Sequence, residues 1–346
     1  MDRRNFLKNA AAAAAGFRLG GVEAGFRTRH LVWLINGGGS RKREWYERPD
    51  FAPSFARLAR EGFTYVEDHN DTVASHQRSW TELITGNPRC SAVPAYPTLL
   101  HYVRKAHADA ASKYFYLNGV NRYRGISLAG SYLTSHPGYG EETRPALLTM
   151  SGLAAQRFDG MGLTVPEQRL LEEFVVTTLG ARACDFNLKN NPVPREPMVS
   201  EAAALALVPA LLQAFKPRII VVQMAGHDVA HESYADYEQV CRTTDELLGK
   251  LLDFIQADTY FSRNTSVVVR PEVGRDDEVN MLGELNHSMG YGQCHRSASI
   301  FWGPDFKCGT TNLVVNRTDM VPTLARIFNV DTPGAMGRVR RELFLD

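Results

Sequence analysis

Hydrophobic positions along this chain follow two rhythms. Short unbroken apolar runs occur at Leu31–Ile35, Ile219–Met224 and Val267–Val269, with no polar alternation inside them. Runs of that kind predict strands buried on both faces, as in a parallel sheet covered by helices. Between them, apolar residues recur at helical spacing. The spacing predicts helices near Pro53–Glu61, over about 166–178 and 199–215, over about 233–257 and near Val321–Phe328, with a shorter one at Ser79–Ile84. In the helix at 233–257, Tyr237, Val240, Cys241, Leu247, Leu248, Leu251, Leu252 and Ile255 fall on one face. Further strands are expected at Phe63–Val66, Ser299–Trp302 and Leu313–Val315. Alternating strands and helices predict a doubly wound α/β core with a mostly parallel sheet and helices on both faces.

The stretch from about 117 to 200 breaks both rhythms. It is rich in Gly, Tyr, Pro and Asn, as in Tyr123-Arg124-Gly125 and His136-Pro137-Gly138-Tyr139-Gly140. We read it as an insertion or cap over the site.

The residues just beyond each apolar run point to chemistry. The first run ends at Asn36, the second leads into His227, Asp228 and His231, and the third ends at Glu272. Ligands of open α/β sheets sit outside the carboxyl ends of the strands. Oxygen and nitrogen donors at three such ends therefore predict one shared polar site. The glycine turn Gly37-Gly38-Gly39-Ser40 lacks the lysine and spacing of a phosphate-binding P-loop, and no G-x-S-x-G elbow is present.

Composition narrows the classes. The 346 residues carry 39 basic against 38 acidic side chains, which gives no electrostatic case for nucleic acid or an anionic membrane surface. No apolar stretch is long enough for a stable membrane span. The five cysteines are scattered, with no C-x-x-C pair, and Cys294 reads as a buried structural thiol. At the N-terminus, Arg3-Arg4-Asn5-Phe6-Leu7-Lys8 precedes alanines from Ala10 to Ala15, and Val22-Glu23-Ala24 offers small residues for cleavage. We expect residues 1–24 to be a twin-arginine-type signal peptide, read by the twin-arginine export machinery, and the mature protein to be exported to the periplasm. An amphipathic N-terminal helix is the alternative.

The order of motifs from about residue 29 to the C-terminus resembles the alkaline phosphatase/sulfatase superfamily, especially its nucleotide pyrophosphatase/phosphodiesterase-like and exported sulfatase-like members. The segments that carry the resemblance are Leu31–Gly37, FAPSFARLAREGFTYVE at Phe51–Glu67, HQRSWTELITG at His76–Gly86, GHDVAH at Gly226–His231, PEVGRD at Pro271–Asp276, Asn286–Phe306 and Thr318–Pro333. The resemblance implies an alkaline phosphatase-like fold and a divalent metal, commonly zinc, bound as one or two ions. It also implies hydrolysis of a phosphate, phosphodiester or sulfate ester of a small molecule or glycan. A first metal site would take Asp228 (or His227, by a one-residue shift), His231 and His287. A second departs from the pattern, with Asn36 in place of an aspartate and Glu272-Val273-Gly274 in place of Asp-His-Gly, so its ion should be held more weakly. The nucleophile position falls on His76, which can act as a nucleophile or as a ligand that replaces the missing imidazole. Ser75 and Thr72 are alternative nucleophiles, and Arg78 could hold the ester's anionic oxygens. Two further readings remain on the same fold: a catalytically silent metal-binding protein, and a phosphoryl transferase or mutase.

Overall fold

The computed structural model of the protein describes residues 25–70, 72, 74–89, 96–118, 138–149, 162–179, 198–224, 226–287 and 292–345. The export signal expected in residues 1–24 lies outside the described residues, as does much of the stretch 117–200.

The three apolar runs form β1 (His30–Asn36), β5 (Ile219–Met224) and β6 (Thr265–Pro271), every residue of which is buried. They are parallel neighbours, with β1 between the other two. The remaining strands among the described residues are β2 (Phe63–His69), β3 (Tyr114–Asn118), β4 (Ala146–Thr149), β7 (Arg296–Trp302), β8 (Gly309–Thr311) and β9 (Val315–Asn316). The sheet runs β4-β3-β5-β1-β6-β7-β2-β8, with β9 beside β2. Of these described strands, only β7 is antiparallel to its neighbours.

The described helices in chain order are α1 (Lys42–Trp45), α2 (Pro53–Glu61), α3 (His76–Thr85), α4 (Leu99–His107), α5 (Val165–Leu179), α6 (Met198–Phe215), α7 (Tyr234–Ala257), α8 (Thr259–Asn264) and α9 (Met320–Ile327). Strand side chains alternate between faces, and the core divides accordingly. Val32, Leu34, Ile220, Val222, Val267 and Val269 pack under α2, α6 and α7. Leu31, Trp33, Ile35, Ile219, Val221 and Val268 pack under α3, α4 and α9. The doubly wound α/β expectation holds. Continuous apolar runs were its signature because both faces of the sheet are covered.

Local chemistry sets the ends of the elements near the site. Pro53 opens α2, whose first turn is capped by a distant residue: Asp245 of α7 accepts the N–H groups of Ser54 (3.1 Å) and Phe55 (2.8 Å). Ser233 caps α7 by accepting the Asp236 N–H. Gly86 closes α3 in the left-handed region, at φ 68°.

Two expectations need correction. Within 117–200, read as cap, Ala146–Thr149 joins the sheet as an edge strand parallel to β3. Its four residues are too short to register as a run beside so many turn residues. The strand expected at Leu313–Val315 starts only at its last residue, Val315, which opens β9. Leu313 and Val314 are exposed, and short β8 and β9 flank them.

A buried ion pair stabilises the sheet beside the site. Arg270 on β6 donates from Nε (3.0 Å) and Nη2 (2.6 Å) to the two carboxylate oxygens of Asp68 on β2, and both side chains are wholly buried. Truncating one partner strands the other charge out of water. Asp68→Ala should therefore lose about 3–5 kcal/mol of stability in denaturant unfolding. The double variant Asp68→Leu, Arg270→Met should lose much less. Equal losses in the two would refute this account of the pair.

Candidate metal centre

The parallel register places Asn36 beside Met224 on one side and Pro271 on the other, so the loops after β1, β5 and β6 leave the sheet together. The β5 loop is a 3₁₀ turn, Gly226–His231, that presents Asp228 and His231 from one side. The β1 loop passes very close to it. Gly38 has φ 90°, and a Cβ there would lie 2.4 Å from the Asp228 nitrogen, so only glycine fits.

One atom from each of His76, Asp228, His231 and His287 lies within 4.8 Å of the other three, a group that could hold a metal ion. His76 Nε2 is 2.9 Å from Asp228 Oδ1 and 2.9 Å from His287 Nε2, while His231 Nε2 is 3.4 Å from Asp228 Oδ1. Ligands at zinc–nitrogen distance in a tetrahedron stand roughly 3.3 Å apart. The other ring nitrogens are all engaged. His76 Nδ1 donates to Glu272 Oε1, His287 Nδ1 donates to the Ala74 carbonyl (3.0 Å), and His231 Nδ1 to Asn286 Oδ1 (2.6 Å). Such partners fix the tautomer and leave the Nε2 lone pair for a cation. His231 is partly exposed, so the cluster has a way out to solvent.

Arg275 holds this arrangement together. Its buried guanidinium donates to the carbonyls of Gly39 (3.0 Å), Leu285 (2.6 Å), His227 (3.1 Å) and Gly38, and lies 3.3 Å from Asp228 Oδ1. It thus ties the loops following β1, β5 and β6 to one another and fixes the Asp228 carboxylate.

Of the residues expected at the site, His76, Asp228, His231 and His287 come together. Glu272 stands one layer back, accepting from His76 Nδ1 and from the Gly38 N–H (3.1 Å). Asn36 is wholly buried, and neither atom of its amide has a hydrogen-bond partner. His227 is buried against the Tyr237 ring and lies outside the cluster, which contains Asp228 instead. Ser75 precedes α3 in extended conformation and makes no side-chain cap hydrogen bond. Thr72 donates to Glu82 Oε2 (2.7 Å), and Arg78 is exposed on the first turn of α3. Sequence reasoning missed Arg275 and Asn286. Both lie inside segments that carry the family resemblance, Asn286 directly before His287, but nothing in their residue types marks a supporting role.

The electrostatics separate the imidazoles. Burial pulls His76 down, but the carboxylates of Glu272 and Asp228 overcome it and lift the ring from its ordinary 6.5 to about 10. Burial and the neighbouring cations push His287 down to about 3, and burial with Arg275 lowers His231. Burial opposes the Asp228 carboxylate, yet the hydrogen bond from His76 holds it below its usual range. The metal-free cluster therefore carries one proton, on His76, where a cation would stand. Its stabilising effect is complete below about pH 6.5 and is lost as pH rises through about 10. A cation must displace that proton. Zinc titration between pH 7 and 9 should release about one proton per ion, with affinity rising about tenfold per pH unit. In His76→Ala, binding should weaken and lose this proton release. Calorimetry in buffers of different ionisation enthalpy reads both. Undiminished release from His76→Ala would assign the proton elsewhere.

No protein-family model matches the chain, and no curated protein matches it by sequence. Solved structures do. A variant of the alkaline phosphatase PafA superposes with a TM-score of 0.63 at 11% identity, covering 92% of this chain and 99% of that one. Phosphonate monoester hydrolase from Silicibacter pomeroyi gives 0.57 at 12%, covering 91% and 76%. Murine ectonucleotide pyrophosphatase/phosphodiesterase 5, solved with AMP, gives 0.56 at 11%, covering 92% and 100%. The chain has the alkaline phosphatase superfamily fold.

Proposed function

We propose that the protein is an exported hydrolase of phosphate, phosphodiester or sulfate esters that works with zinc held by His76, Asp228, His231 and His287. The observation that carries the reading is the convergence of three imidazole Nε2 atoms and one carboxylate oxygen, with each Nδ1 tied to an acceptor behind it. Imidazole and carboxylate donors in a four-ligand set suit zinc. The fold neighbours, named for phosphatase, phosphodiesterase and phosphonate ester chemistry, support the substrate class.

A divalent ion bound there would polarise the ester and stabilise charge on the leaving oxygen. The chain's own residues do the rest. The open first turn of α3, uncapped by the Ser75 side chain, offers backbone N–H groups to anionic ester oxygens. Arg78 stands on the same turn and adds a guanidinium fork. Asp228 Oδ2 is buried without a hydrogen-bond partner, and in this reading it would accept a proton from an attacking water. His76 serves as ligand in this reading, since Glu272 occupies one ring nitrogen and the cluster the other. Among the described residues, no helix is long and apolar enough to cross a membrane.

Zinc-loaded protein should turn over at least one class in a panel of aryl phosphate, bis-aryl phosphodiester and aryl sulfate. His231→Ala or His287→Ala should lower kcat/KM by more than about 100-fold. Turnover no higher than that of the His231→Ala, His287→Ala double variant on every substrate would end the hydrolase reading. Export has its own test. Replacing Arg3 and Arg4 by lysine should leave an uncleaved precursor in the cytoplasm, and unchanged export would remove the twin-arginine route.

A further inference from the structure

Behind His76, on the Glu272 side, lies a second buried polar region. Glu272 is wholly buried and its Oε2 has no hydrogen-bond partner; the same is true of both amide atoms of Asn36. A carboxylate and an amide oxygen at adjacent strand ends would suit a second cation. Yet among the described residues no other group of three or more His, Cys, Asp or Glu converges.

The positive charge there belongs to the chain itself. Arg317, just before α9, is wholly buried, and none of its three guanidinium nitrogens has a hydrogen-bond partner. Nη1 lies 3.4 Å from Glu82 Oε2 on α3. Burial pulls the group down to about 10, against the attraction of Glu82, Asp68 and Glu272. A buried guanidinium so poorly hydrogen-bonded is a costly way to fill space, and an apolar side chain of similar volume would do that better. What such a group contributes is charge.

The charges nearly balance. Four buried carboxylates, Asp68, Glu82, Asp228 and Glu272, face three buried guanidinium groups, Arg270, Arg275 and Arg317. One divalent ion on the histidine cluster already exceeds the surplus negative charge. A second would place uncompensated positive charge in a region of low dielectric.

We propose that Arg317 is a built-in cation that compensates Glu82 and Glu272, so that the chain takes one divalent ion, at the His76 cluster, and excludes a second from the buried Asn36 and Glu272 side chains. The proposal rests on the metal-centre reading. Arg317 is on this account a positioning residue that acts through charge and touches no substrate.

Zinc stoichiometry tests it without reference to activity. Metal-free full-length protein is titrated with zinc chloride by calorimetry and assayed for retained zinc after gel filtration, with circular dichroism to verify folding. Wild type should retain one ion per chain, and the His231→Ala, His287→Ala double variant none. Arg317→Met should retain two, and Glu82→Gln, Arg317→Met should return to one because the pair is neutralised together. If Arg317→Met does not fold, Arg317→Gln takes its place, and the wild-type ratio tests the proposal regardless. Two ions on wild type, or a single ion on the folded Arg317 variant, would overturn the proposal and leave the metal centre standing. No ion on wild type would overturn both.

Discussion

The site depends on one buried guanidinium. Arg275 takes its partners from the loops that follow β1, β5 and β6, and most of them are main-chain carbonyls. A charge buried among apolar groups would be untenable, but five N–H donors can satisfy several carbonyls at once. Each bond also meets the need of a loop carbonyl that left its ladder at the strand end. The clamp is thus structural in origin. It reaches the histidine cluster because one more contact falls on Asp228 Oδ1, the oxygen that also meets His76 and His231. The β1 loop comes close enough for this only because Gly38 has no Cβ. A lysine could hold the charge but not four carbonyls in fixed directions.

Two carboxylates at neighbouring strand ends do different work because of what faces them. Asp228 meets a guanidinium and two imidazoles, so it stays ionised and exposes an oxygen to the cluster. Glu272 sits deeper and accepts from an imidazole Nδ1 and a backbone N–H, which makes it an orienting group. The polar atoms left unpartnered nearby, on Asn36, Glu272, Asp228 and Gln223, cluster at the carboxyl ends of β1, β5 and β6. Departures from complete hydrogen bonding are expected where function overrides packing.

The sequence revealed the sheet centre because burial on both faces leaves an unmistakable mark: Leu31–Ile35 and Ile219–Met224 have no polar side to show. The run at Ile219–Met224 also points to the loop that carries Asp228 and His231, whereas His287 entered only through the family resemblance. The sequence could not predict direction. Asn36 sits at the same kind of strand end, yet its amide makes no hydrogen bond to any cluster residue. His227 and Asp228 differ by one residue of a 3₁₀ turn, and only the turn decides which faces inward. Arg275, Arg270 and Arg317 were invisible for a different reason. Arginine is normally a surface residue, so nothing in a single sequence distinguishes a buried one until its partners are assembled. β4 escaped notice because four residues among glycines and tyrosines carry too little period to be read.

His76 joins these threads. An imidazole at the first turn of a helix, at the carboxyl end of a sheet, is a reasonable nucleophile by position alone. Attack, however, requires a ring nitrogen with a free lone pair. Glu272 holds Nδ1, and Nε2 lies within 2.9 Å of both Asp228 Oδ1 and His287 Nε2. Either a proton or a cation must occupy that meeting point, because two imidazole lone pairs and a carboxylate oxygen repel one another without one. In both states Nε2 is engaged. On the proposed hydrolase reading, the attacking oxygen would therefore come from elsewhere, from water or from the neighbouring Ser75 hydroxyl. The histidine at the nucleophile position then serves to complete the cluster.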